Sequence, residues 1–140
     1  MTIESQMTQD MNVNGTVMLS YLSGDPIGLL ERITCDWLIL EEQKIETMSF
    51  LEEMLQTRVR VLSFLSYPDA FDCSVLTKYD GQGKCERIEF RDCQLFSIDI
   101  LKSWVYSKGW TVSQEDYLQE LDIYCLIIQR TMNTLDGNII

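Results

Sequence analysis

From Leu29 to Tyr67 the chain contains neither glycine nor proline. The strongest local breakers of regular structure are missing there, so long regular elements must fill the stretch. Leu30, Ile33, Trp37 and Leu40 recur at helical spacing. They predict a helix opened by Asp25-Pro26, an N-cap aspartate ahead of a proline whose φ is already helical. The run Cys35-Asp36-Trp37-Leu38-Ile39-Leu40 also suits a buried strand, because periodicity does not separate the two for short apolar runs. Ser49-x-x-Glu52 has the spacing of a capping box and predicts a second helix. Its core stripe is Met48, Leu51, Leu55, Leu62 and Leu65, and Pro68 lies beyond its end.

Either side of this run the pattern alternates. Val17, Leu19 and Tyr21 against Thr16, Met18 and Ser20 predict a strand over Thr16 to Leu22. Downstream, Cys73, Val75 and Tyr79 alternate with polar neighbours, as do Ile88 and Phe90. With Asp80-Gly81-Gln82-Gly83 between them, the two runs predict a hairpin over 72–91 that sets Val75 opposite Ile88 and Cys73 opposite Phe90. The same glycines do not make a phosphate-binding loop. That loop needs glycine where Lys78 stands, serine or threonine where Cys85 stands, and a helix afterwards.

Ser97 or Asp99 is expected to cap a third helix carrying Ile98, Leu101, Trp104 and Val105, closed by Gly109. A fourth is expected from Ser113, with Tyr117, Leu121, Tyr124, Ile128, Met132 and Leu135 as its stripe and Gly137 at its end. The predicted fold is α+β: a small antiparallel sheet of about three strands, including the 72–91 hairpin, packed with about four helices in the order β-α-α-β-β-α-α. Residues 1–14 are expected to be a flexible segment, and 15–140 a single domain of ordinary size.

Charge narrows the partners. Twenty-two acidic residues against 11 basic ones give a net charge of −11, which disfavours direct binding to nucleic acid or to an anionic membrane surface. No apolar run reaches the ~20 residues of a membrane helix. Five cysteines, at 35, 73, 85, 93 and 125, include no C-x-x-C pair. They read as reduced core residues of a cytoplasmic protein rather than as a disulfide or zinc framework.

Histidine is absent altogether, which removes the Ser-His-Asp and Cys-His mechanisms and the common zinc motifs. The adjacent acids Glu41-Glu42, Glu52-Glu53 and Glu115-Asp116 do not face one another on a helix. No catalytic, cofactor-binding or metal-binding residue is therefore nominated. Glu115, Asp116, Glu120 and Asp122 have no basic residue between Trp110 and Gln129 and are nominated to meet a basic patch on a protein partner. As helices, "DWLIL" and "IYCLII" would be apolar all round. Trp37, Phe50 and Phe64 are accordingly nominated as an apolar interface, and a homodimer is expected. The resulting expectation is a non-enzymatic acidic protein that binds a protein partner as an inhibitor, immunity protein, chaperone or regulator. Beside it stand a DNA mimic occupying a nucleic-acid site and a small enzyme using carboxylate or cysteine chemistry.

Overall fold

The computed structural model describes residues 11–20, 30, 32–41, 51–67 and 70–131. Eight strands form: β1 (Met11–Ser20), β2 (Ile33–Glu41), β3 (Val59–Leu65), β4 (Phe71–Asp72), β5 (Arg87–Cys93), β6 (Leu95–Phe96), β7 (Trp110–Leu118) and β8 (Ile123–Arg130). Helix α1 (Leu51–Glu53) runs on into a π-helical turn over Met54–Arg58, a 3₁₀ helix covers Cys73–Lys78, and α2 covers Ile98–Ser107. Six strands make one sheet in the order β1-β2-β3-β5-β8-β7, and β4 pairs with β6 in a small second one. The pairs β1–β2, β2–β3 and β3–β5 are parallel, whereas β5–β8 and β7–β8 are antiparallel.

This corrects the α+β expectation of three antiparallel strands packed with four helices. The Gly- and Pro-free run holds two central parallel strands. A strand buried on both faces reads as a continuous apolar run rather than an alternating one, which is how β3, buried from Val61 to Phe64, passes for helix; the run Cys35–Leu40 of β2 is the one that suits either element. Only Leu51–Arg58 of the second expected helix is helical. The fourth is a hairpin, in which Tyr117 lies directly opposite Tyr124. Its stripe was ambiguous because a spacing of four keeps residues on one face of a helix and of a strand alike. The 72–91 hairpin is also replaced. Ile88 pairs with Leu62 and Ile128, and Phe90 with Phe64 and Leu126. Three expectations match: the first strand coincides with β1 over Thr16–Ser20, Tyr21 and Leu22 lying outside the described residues, and β1 extends back to Met11 and so into the segment 1–14; α2 follows Ser97; and Gly109 follows its last turn with φ +76°. Of the expected fourth helix, Met132, Leu135 and Gly137 lie outside the described residues, as do Met48 and Ser49 of the second.

One face of the sheet carries Leu38, Leu40, Leu62, Phe64, Ile88, Phe90, Leu126 and Ile128, which join Leu51, Met54, Leu55, Leu76, Leu101, Trp104 and Val105 in a common core. Phe64 sits at its centre, with ring centroids 4.6 Å from Phe71 and 5.3 Å from Phe90. The other face is partly polar. Glu89 is fully buried there, 2.7 Å from Arg87 Nε and 3.1 Å from Arg91 Nε. Ser63 Oγ donates to Glu89 Oε1 and accepts from Trp37 Nε1. A buried carboxylate is tolerable only when paired and hydrogen-bonded, and these neighbours meet that demand. Four parallel strands followed by an antiparallel pair make a mostly parallel six-stranded sheet. Its parallel strands are wound in one direction, each beside its predecessor.

Candidate functional site at the carboxyl edge

The parallel strands β1, β2, β3 and β5 all end at one edge of the sheet, its carboxyl edge. At that edge β3 ends in Leu65 and is followed by Ser66, at φ 52°. In β5, Asp92 adopts φ 55° where the pairing with β8 slips between Arg91 and Cys93. Ser97, at φ 60°, leads from β6 into α2. Because Cys93 pairs with Tyr124, the turn between β7 and β8 lies at the same edge, and its Asp122 has φ 53°. These are the four left-handed residues other than glycine among the described residues. Each costs on the order of 1–3 kcal/mol, and such strain gathers at functional sites.

A cavity of about 300 Å³ opens beside one of them, Asp92, and is lined as well by Asp116, Tyr117, Leu118, Ile123, Tyr124 and Cys125. The Tyr117 and Tyr124 rings lie 4.5 Å apart, tilted by 33°. Tyr117 donates from its hydroxyl to Asp122 Oδ1 at 2.8 Å, and that carboxylate holds the Tyr117 pKa above its ordinary value. Nearby, Asp72 accepts from the hydroxyl and the backbone N–H of Ser74, which together hold its carboxyl below the usual range. Arg91, the cation of this edge on β5, is turned onto Glu89.

The nominated acids are thus dispersed along a hairpin rather than along a helix. Glu115 is paired with Lys102 Nζ at 2.7 Å, on the side facing α2. Asp116 accepts from Gln114 and lines the cavity, Glu120 lies exposed in the turn, and Asp122 holds Tyr117. The nominated apolar patch does not assemble: Phe64 is fully buried, Trp37 lies half-buried on the opposite face, and Phe50 falls outside the described residues. Ser66 and Asp92 carried no sequence signal, and Ser97 was legible only as a helix cap, not as a left-handed residue. They become legible only once β3 and β5 are known to be parallel.

All five cysteines are free, and burial pushes the Cys73 and Cys85 thiols up to about 12, so neither is a thiolate nucleophile at neutral pH. Among the described residues no cluster of three or more Cys, Asp or Glu side chains is placed to hold a metal ion, and no helix is long and apolar enough to cross a membrane.

No protein-family model matches the sequence, and no curated protein matches it. Two solved structures are similar to it. One is Streptococcus pneumoniae Sp1610, provisionally assigned as a tRNA (m1A22) methyltransferase and solved in complex with S-adenosyl-L-methionine. Identity is 19%, the match covers 86% of this chain and 69% of that one, and the TM-score is 0.42. The other is a protein in the NADB-Rossmann superfamily from Streptococcus agalactiae, at 15% identity, covering 83% of this chain and 63% of that one, with TM-score 0.42. The chain therefore spans less than two thirds of the second protein's length.

The fold itself corrects the expectation of a non-enzymatic inhibitor or regulator by removing its basis. That expectation rested on helices with surplus apolar surface and on an acidic helix face. Those segments are strands of one sheet and its closing hairpin. The DNA-mimic alternative loses the same acidic face.

Proposed function

We propose that this chain binds a nucleoside-type cofactor at the carboxyl edge of its parallel sheet and serves a group-transfer enzyme. The observation that carries this reading is the gathering of Ser66, Asp92, Ser97 and Asp122 at that edge in left-handed backbone, with Asp92 lining a cavity at the lower end of the usual range for ligand sites.

The donor set selects among nucleosides. Asp92 and Asp116 accept hydrogen bonds and attract positive charge, and the Tyr117 and Tyr124 rings offer faces to a base or a cation. A pyrophosphate needs the opposite surroundings, free amides at a helix N-terminus without nearby acids; here α2 opens with Asp99 in its first turn. S-adenosyl-L-methionine, with a ribose diol, a sulfonium and an ammonium, suits this chemistry. Asp92 would hold the diol, and Asp116 with the tyrosine pair would hold the cationic end. When bound, that cofactor supplies an electrophilic methyl group. The chain's own part is to orient it and to shield the site from water.

Calorimetric titration with S-adenosyl-L-methionine, S-adenosylhomocysteine and a nicotinamide dinucleotide tests the reading. The expected order is the sulfonium first, the neutral thioether weaker and the dinucleotide weakest. Asp92→Asn is expected to weaken the first about tenfold or more, the effect of losing one charge-assisted hydrogen bond. Absence of saturable binding, or a dinucleotide preference, overturns the proposal.

A further inference from the structure

The opposite end of the sheet gathers arginines. A second cavity, of about 150 Å³, is lined by Arg60, Glu86, Arg87, Gln129 and Arg130. Three of the 11 basic residues of a chain with net charge −11 thus converge on one small groove. The backbone builds it. Glu86 N–H donates to the Arg60 carbonyl and Arg130 N–H to the Glu86 carbonyl, both at 2.8 Å. Arg60, Glu86 and Arg130 therefore stand side by side on three adjacent segments.

Arg130 is held from behind. Its Nη2 donates to the carbonyls of Gly83 at 2.6 Å and Cys85 at 2.7 Å and to the Tyr79 hydroxyl at 3.2 Å, and its guanidinium lies 5.8 Å from the centre of the Trp110 ring. The glycine loop that fails as a phosphate loop thus supplies carbonyls that fix an arginine. One donor remains unmatched: Arg130 Nε is buried without a hydrogen bond, whereas Arg87 Nε is ion-paired with Glu89 Oε2 at 2.7 Å. A buried charged donor without an acceptor is costly, and in a native protein it calls for an explanation. Glu86 meets Arg60 only at 3.6 Å, with both side chains nearly half exposed, so the carboxylate is loosely held.

We propose that this groove binds a small oxyanion of the phosphate class. Guanidinium forks match the geometry of phosphate oxygens, and the cavity is too small for a nucleoside, so the ligand is free phosphate or the phosphate end of a larger molecule. The chain's overall negative charge does not forbid it, because charges more than ~8 Å away are largely screened at physiological ionic strength. Glu86 acts as a competitor that a dianion displaces.

Binding is followed by amide chemical shifts during titration with inorganic phosphate, with sodium chloride at matched ionic strength as the control. The expected result is saturable binding with shifts centred on residues 83–87 and 129–131. Arg60→Gln, an exposed position, should weaken it about tenfold, and Glu86→Gln should tighten it several-fold. Glu86→Gln carries the test on its own should the arginine variant fail to fold. Phenyl phosphate is the second probe: tighter binding than inorganic phosphate identifies an ester ligand, equal binding the free ion, and both support the site. Equal shifts with chloride, equal affinity for acetate, or an affinity unmoved by Glu86→Gln overturns it. Failure of cofactor binding at the carboxyl edge leaves these outcomes untouched.

Discussion

The two ends of the sheet are built on opposite rules. The amino edge keeps its backbone unstrained around three packed aromatic rings. Tyr79, Trp104 and Trp110 meet there with ring centroids 5.3–6.2 Å apart, each indole N–H finds a carbonyl, and the left-handed positions, Gly81 and Gly109, are glycines. The carboxyl edge is open and strained, and its left-handed positions are serines and aspartates. Such a contrast separates backbone that follows local rules from backbone that breaks them, and functional positions tolerate such breaks. It also gives the two edges opposite responses to the same kind of substitution.

The largest effect is expected at the amino edge. A Cβ added to Gly83 would lie 2.6 Å from Gln56 Cα and 2.9 Å from its carbonyl oxygen, where backbone rather than a flexible side chain must yield. Gly83→Ala should therefore cost about 3 kcal/mol in a urea titration, the upper end for overpacking. At the carboxyl edge the sign should reverse. Ser66→Gly relieves about 1 kcal/mol of left-handed strain, offset by the greater freedom of glycine in the unfolded chain. It should leave stability unchanged or raise it by up to ~1 kcal/mol. Equal losses for the two variants would break the comparison.

The smallest effect sharpens it. Asp72, beside the carboxyl edge, has a folded pKa held below its unfolded value by Ser74. Its linked stability is thus fully present above the ordinary carboxylate pKa of about 3.9 and is lost as pH falls through the depressed folded value. Ser74→Ala should make the loss of stability between pH 5 and pH 2 shallower, as read from urea midpoints. An unchanged acid slope would show that Asp72 contributes nothing there.

Only part of this architecture was legible in the sequence. β1 announced itself because it lies at an edge, where alternate residues are exposed and period two survives. Helix α2 was equally plain, with Leu101, Trp104 and Val105 buried on one stripe and Gly109 after its end. The central strands hid behind their own burial: β3, "VRVLSFL", has four consecutive buried residues, Val61 to Phe64. The β7–β8 turn hid for a different reason. Its left-handed residue is Asp122 and it holds neither glycine nor proline, so a chain reversal passed for the middle of a helix. The candidate site was the least visible, because its acids come from separate elements. Asp92 and Asp116 meet at one cavity only through the register of β8 with β5 and β7.

The strand order bears on how the chain is made. β8, the last described strand in sequence, lies between β5 and β7. While the ribosome is still adding residues 123–130, β5 has an unpaired outer edge and Leu126 and Ile128, both fully buried in the finished domain, are missing from the core. The nascent chain thus carries an open apolar sheet edge until its closing hairpin can dock as a unit, and unpaired edges of this kind invite association between chains. Ser113, Gln114, Glu115 and Asp116, exposed on β7, leave the finished sheet with a polar rim on that side. Synthesis stalled or cut within β8 should yield a chain that sticks to others of its kind.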